Sequence, residues 1–255
     1  MKNVIPETFL GVGYTRDQAG LPLEAVRVPV PQPAAEEATE RSGGEGGYAV
    51  ARQFLTVLKP PSLSFRDAAA LPMCFLSAFA ALYGAVKAGD TVYIPGGGGG
   101  VGHLAVQMAA RVLGARLVIS SGSTPASIAL ARRSGAHHVF DYKRDDIGAE
   151  IVKLTGGRGV DVVFDATYSE AGFVETAQTV RQSGSWVVLG VGPGKTTRLV
   201  ETDSPVNSIL AERGAKHVNI NLLRYFSEPA TLDGEAKTFL ERGGSVRGVA
   251  TRNGP

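Results

Sequence analysis

The stretch DTVYIPGGGGGVGHLAVQMAARVLGARLVISSGS, from Asp90 to Ser123, constrains the fold more than any other part of this chain. A run of β-branched and aromatic residues meets five consecutive glycines. An amphipathic segment follows, then a second apolar run. The periodicity changes from strand to helix and back within one short unit, which is the pattern of a βαβ crossover.

The rhythm continues downstream. Thr91–Pro95, Arg116–Ser120, His138–Phe140, Val160–Asp165 and Ser185–Gly190 read as strands. Val101–Leu113, Ala126–Ser134, Asp146–Leu154 and Ala171–Gln182 read as helices between them. This alternation predicts an α/β fold with a doubly wound parallel sheet of Rossmann type. A strand at His217–Asn221 and a helix at Asp233–Glu241 extend it. Upstream, Leu21–Pro33 alternates and stops at prolines, as an edge strand does. Ala34–Gly47 is a polar, glycine-rich linker and Tyr48–Leu58 a further strand. Ser64-Phe65-Arg66-Asp67 opens a helix that runs towards Val86.

Composition narrows the partners. A net charge of +2 on 255 residues gives no reason to expect nucleic acid or a membrane surface. One cysteine, Cys74, forms no internal disulfide and no cysteine-based metal cluster. This fits a reducing, cytoplasmic setting, and MKNVIPETFLGVG lacks the pattern of a signal peptide. Ala68–Val86 carries no charge over 19 residues. It contains Pro72, Ser77, Tyr83 and Gly84 and leads straight into the βαβ unit, so a buried core helix is expected rather than a membrane span.

The glycines carry the chemistry. Gly97-x-Gly99-x-x-Gly102, enclosing Gly100 and Val101, has dinucleotide-fingerprint spacing between a strand and a helix. The first glycine permits the turn, the second lets a pyrophosphate approach, and the third lets helix and strand pack. The helix start offers free N–H groups and a positive dipole end. No Gly-Lys-Ser/Thr follows, which excludes a P-loop. NAD is usually read by an acid about 20 residues on, yet no Asp or Glu lies between Ala115 and Ala136. Ser120, Ser121 and Ser123 stand there instead and offer donors to a 2′-phosphate, which favours NADP(H) over NAD(H). Ser123 or Thr124 also suits a helix cap.

With these segments in view, the chain resembles the medium-chain dehydrogenase/reductase superfamily, in its zinc-free quinone oxidoreductase branch. LEAVRVPVPQP, GGYAV, LSFRDAAALP, VKAGDTVYIPGGGGGVGHLAVQMA, SGAHHVFDY, GVDVVFDAT and GSWVVLGVG carry the resemblance in order. It implies a pyrophosphate loop at Gly97, Gly99, Gly100, Val101 and Gly102. It places Ser121 and Ser123 near the adenosine 2′-phosphate, with Tyr142 against it. A lysine that often accompanies that tyrosine is replaced by Ser127. Ser77, Thr167, Gly190 and Val191 fall near the nicotinamide.

The implied reaction is zinc-independent hydride transfer from NADPH to a quinone, enone or carbonyl compound. The implied assembly is a homodimer paired through the edge strand at His217–Asn221. Between VPVPQP and GGYAV the family has a GroES-like catalytic domain, where this chain has only Ala34–Gly47. The expected division is residues 1–50 as a remnant of that domain with a linker, 51–242 as the dinucleotide-binding domain, and 243–255 as a frayed tail. No catalytic acid is assigned. A catalytically impaired NADPH-binding module, or a truncated gene product, is the alternative.

Other constellations count for less. His103, His137, His138 and His217 do not form a ligand pattern with Cys74, so no zinc site is expected and Cys74 reads as a core residue. Tyr83 and Lys87 have the spacing of a Tyr-x-x-x-Lys proton relay but precede the glycine loop, so they read as helix-surface residues.

Overall fold

The computed structural model describes the main chain of residues 8–13 and 24–29, and the chain from 59 to 189 and from 204 to 220. Two compact units result, Met1–Pro60 and Pro61–Pro255. In the first unit, strands β1 (Thr8–Gly13) and β2 (Glu24–Pro29) pair antiparallel. β2 lies inside the expected Leu21–Pro33 strand. β1 has no counterpart among the expected elements, because two glycines blur the alternation of TFLGVG. The expected strand at 48–58 lies outside the described residues, as do the helix at 233–241 and the tail.

The second unit opens with helix α1 (Phe65–Leu82). Ser64 caps it, accepting from the Asp67 N–H at 3.0 Å. By length and composition α1 is apolar enough to cross a membrane. Its C-terminal third, Ser77–Leu82, is largely buried, while Phe65 and Met73 are exposed, so the expected core helix is buried along only part of its length.

Strands β3 (Thr91–Ile94), β4 (Leu117–Gly122), β5 (His138–Asp141), β6 (Val160–Asp165), β7 (Val180–Leu189) and β8 (Lys216–Ile220) form one parallel sheet, ordered β5-β4-β3-β6-β7-β8. Helices α2 (Gly100–Arg111), α3 (Pro125–Ser134), α4 (Ile147–Thr155), α5 (Glu170–Gln178) and α6 (Pro205–Glu212) connect them. Strand order reverses between β3 and β6, the topological switch point of a doubly wound sheet. β3 and β6 are buried along their whole length, as central parallel strands require.

Two apolar clusters cover the sheet. One joins α1 and α2 to β3 and β4 through Phe79, Leu82, Val92, Leu104, Met108 and Val118. The other gathers Ile119, Val163, Phe173, Trp186 and Leu210. Phe173 meets Trp186 edge to face at 5.5 Å.

The N-terminal edge of the sheet is tied by charge. Asp161 is buried and accepts from the Thr91 N–H at 2.8 Å, from Arg158 at 3.2 Å and from Arg181 Nε at 2.5 Å. Burial opposes its charge, but these donors outweigh burial and hold its pKa below the usual carboxylate value.

Two boundaries differ from expectation. The expected helix Ala171–Gln182 stops at Gln178, and β7 starts at Val180 instead of Ser185. A register shift between Val160 and Val162 and a left-handed Ser183 (φ 57°) let β7 carry Gln182-Ser183-Gly184 as an irregular strand. Helix α6 was not expected, although Ser204 and Pro205 form a recognisable start.

Candidate nucleotide-binding site

The carboxyl ends of β3, β4, β5 and β6 converge on the switch point, each contributing the residues that follow it. β3 feeds the loop 95–99. Gly96 has φ +66°, a left-handed turn that glycine adopts without strain. The Gly99 N–H donates to the Gly96 carbonyl at 2.9 Å, closing the loop before α2 starts. A β-carbon on Gly102 would lie 2.2 Å from that same carbonyl oxygen, so only glycine permits this approach. Gly99 caps α2 without any side-chain hydrogen bond, whereas α1, α3, α4 and α5 each carry a side-chain cap. No capping side chain occupies the amides that start α2, as is also true of α6, and at α2 the glycine backbone of the loop is bare enough for a phosphate to approach them. These features fit a dinucleotide pyrophosphate.

β6 supplies the facing wall. Asp165 is fully buried and accepts from the Thr167 N–H at 2.9 Å, Thr167 Oγ1 at 2.7 Å and Thr176 Oγ1 at 2.7 Å. Burial raises its pKa against the effect of those donors. Trp186 Nε1 donates to Thr176 Oγ1 at 3.0 Å and extends the network into the core. Thr167 is thereby held beside the glycine loop: a β-carbon on Gly96 would lie 3.9 Å from Thr167 Cγ2. Tyr168 follows in the left-handed region with φ 57°. A bulky residue there is strained, and such strain gathers at functional sites. Nothing in the sequence pattern signalled it.

The serines at the carboxyl end of β4 divide. Ser120 and Ser121 are buried in β4, between β5 and β3, and their hydroxyls bond to the β3 strand and loop, which removes them from the surface where a 2′-phosphate would lie. Ser123 is half-buried past the end of β4. Tyr142 is 54% exposed, and its N–H donates to the Gly122 carbonyl at 3.1 Å, which sets it beside Ser123 at the ends of β4 and β5. Ser127 closes a capping box with Thr124.

Ser77 is buried in α1 and donates to the Met73 carbonyl at 2.7 Å. Cys74 is half-buried against the first apolar cluster and close to the start of α2. Gly190 and Val191 lie outside the described residues. Among the described residues no group of three or more His, Cys, Asp or Glu side chains comes together as a metal site. A cavity of about 690 Å³ opens between the end of α1 and strands β7 and β8, lined by Lys87, Asp161, Arg181 and Lys216 among others. Those residues sit at the amino ends of the strands, away from the glycine loop.

A parallel sheet ordered in this way, with an open glycine turn and uncapped helix at its switch point, defines a Rossmann dinucleotide-binding domain. Comparison with known proteins agrees. A family model described as zinc-binding dehydrogenase matches residues 100–222. A 2-methylene-furan-3-one reductase of Solanum lycopersicum is 34% identical over 149 residues, 58% of this chain and 36% of that protein. A quinone oxidoreductase of Homo sapiens is 32% identical over 126 residues, 49% of this chain and 38% of that protein. Among solved structures, a mycobacterial protein complexed with NADPH matches with a TM-score of 0.62 at 26% identity, covering 75% of this chain and 58% of that one. In this stretch the chain is similar to proteins of the medium-chain dehydrogenase/reductase superfamily, in its quinone-oxidoreductase-like branch. The matched stretch spans well under half the length of these two curated relatives.

Proposed function

We propose that this chain is an NADPH-dependent oxidoreductase that reduces a quinone, enone or carbonyl compound without zinc. The observation that carries this reading is the open amide cluster at the start of α2, held beside Thr167 at the switch point. Relatives that are themselves reductases, and a solved relative complexed with NADPH, support it.

In this reading the dinucleotide, when bound, supplies the hydride. The main chain of Gly99–Gly102 holds the pyrophosphate. Ser123 and Tyr142 meet the adenosine ribose and its 2′-phosphate. Thr167, oriented by Asp165, borders the nicotinamide together with Ser77, Gly190 and Val191. Hydride addition to an enone or carbonyl leaves an enolate or alkoxide that needs a proton. Water delivers that proton, since no described side chain is assigned to the step. Residues 51–242 form the cofactor domain, the protein works in the cytoplasm, and two copies pair through β8.

The test is a titration with NADPH and with NADH, following nicotinamide fluorescence, and then addition of a quinone while the absorbance of the reduced nicotinamide is recorded. Tighter binding of NADPH, followed by quinone-dependent loss of absorbance, is the expected result. Binding without turnover points to a nucleotide-binding module. Binding of neither cofactor overturns the assignment of the loop.

A further inference from the structure

The start of the glycine loop is held from below by hydroxyls that face away from solvent. Ser120 Oγ donates to the Ile94 carbonyl at 2.6 Å. The Gly97 N–H donates to the Ser121 carbonyl at 3.1 Å, and the Gly96 N–H to Ser121 Oγ at 3.4 Å. Tyr93 Oη lies 3.3 Å from Ser121 Oγ. Three points on the outgoing chain, at residues 94, 96 and 97, are thus fixed by two residues of the neighbouring strand. All three side chains are buried, with 3% of Tyr93, 2% of Ser121 and none of Ser120 exposed. The fit is close: a β-carbon on Gly97 would fall 2.0 Å from Ser120 Oγ.

We propose that Tyr93, Ser120 and Ser121 are positioning residues, which set the shape of the phosphate loop from beneath and touch no part of the cofactor. This assigns the serine pair a different task from reading a 2′-phosphate, and it gives a task to a buried tyrosine that the nucleotide chemistry itself does not use. A serine oxygen has two lone pairs, so Ser121 Oγ accepts from Gly96 whichever of the two hydroxyls donates to the other. Burial pushes the Tyr93 hydroxyl up to about 12, so it stays neutral and adds no negative charge beneath the phosphates. The contacts at Ser121 Oγ are long, so each acts modestly, and their effect lies in registering the turn of the loop.

The proposal rests on the dinucleotide reading of the loop. Its test compares Tyr93→Phe, Ser120→Ala, Ser121→Ala and Ser121→Thr with the unsubstituted chain. Three ligands are titrated: NADPH, NADH and adenosine 2′-monophosphate, which carries the 2′-phosphate but no pyrophosphate. Melting temperatures are taken in parallel, and binding is read well below them. Ser120→Ala and Ser121→Ala are expected to weaken NADPH and NADH by one common factor, about five- to twenty-fold. The NADPH-to-NADH ratio and the affinity for adenosine 2′-monophosphate should stay within about twofold. Ser121→Thr keeps the oxygen and should restore binding.

Tyr93→Phe removes a single hydroxyl, and it keeps the proposal testable should a serine variant fail to fold. It should weaken both dinucleotides about threefold. A tenfold fall in the NADPH-to-NADH ratio would mean that the serines read the 2′-phosphate directly, and it overturns the proposal while leaving the dinucleotide reading intact. Unchanged binding in the variants overturns it as well. Failure of the unsubstituted chain to bind either dinucleotide defeats the reading beneath it, and the proposal with it.

Discussion

Gly102, in the first turn of α2, approaches the carbonyl oxygen of Gly96 so closely that a β-carbon would lie 2.2 Å from it. The Gly99 N–H donates to that same oxygen. One carbonyl therefore closes the loop and seats the helix on it. Gly102→Ala must push the helix off the loop. The expected outcome is a stability loss of about 1–3 kcal/mol and a fall in NADPH affinity of more than about tenfold, read by thermal melting and fluorescence titration. Wild-type affinity in a folded Gly102→Ala protein would show that the loop does not use this geometry.

Asp161 ties β3, β6 and β7 at the far edge of the sheet from the loop. Its folded pKa is lowered, so its stabilisation is present above its unfolded pKa of about 3.9 and is lost as pH falls through the folded value. Both arginines are partly exposed, which screens the pair. Asp161→Asn should cost about 1–3 kcal/mol at neutral pH. Denaturant melts from about pH 7 to about pH 3 should show the gap between wild type and variant closing on the acid side. A gap that stays constant, or widens in acid, contradicts this account.

Much of the second unit could be read in the sequence, for physical reasons. Parallel central strands such as TVYI and VDVVFD are continuous buried runs, and four helices of that unit carry the cap expected of Ser, Thr or Asp. The glycine fingerprint was legible because close packing admits no other residue at 102. What the pattern hid depended on tertiary context. Gln182-Ser183-Gly184 carries no strand pattern of its own, and it runs on within β7 because Val180 before it and Ser185 after it both pair with β6 across a register shift. Ser121 looks like a phosphate donor, since nothing in its neighbours shows that it points under the loop. Tyr168 gives no sequence sign of a left-handed backbone.

Asp165 offers the opposite pH dependence to Asp161. Burial raises its folded pKa, so its favourable contribution is complete below about 3.9 and declines as pH rises through the folded value. Asp165→Asn removes that slope. It also replaces one acceptor with an amide that faces Thr167 or Thr176, at a cost of about 1–3 kcal/mol. The stability of wild type relative to Asp165→Asn should therefore fall as pH is raised from about 4. A relative stability that rises over that range would mean that the three donors, and not burial, govern this carboxyl.

Ser127 stands where the resemblance places a lysine, and here its side chain serves the helix. Its hydroxyl accepts from the Thr124 N–H at 3.1 Å and donates to the Thr124 carbonyl at 2.9 Å, while the Ser127 N–H donates to Thr124 Oγ1 at 3.1 Å. Ser127→Lys gives up half of this reciprocal cap, at about 0.5–1 kcal/mol, and brings a cation to the helix that follows the β4 end. If the 2′-phosphate lies by Ser123 and Tyr142, NADPH should gain about five- to tenfold over NADH. Raising the salt concentration should erode that gain, because an exposed charge pair is screened. A gain shared equally by NADH would place the new charge near the pyrophosphate instead. No gain for either cofactor would remove the 2′-phosphate from this end of the sheet.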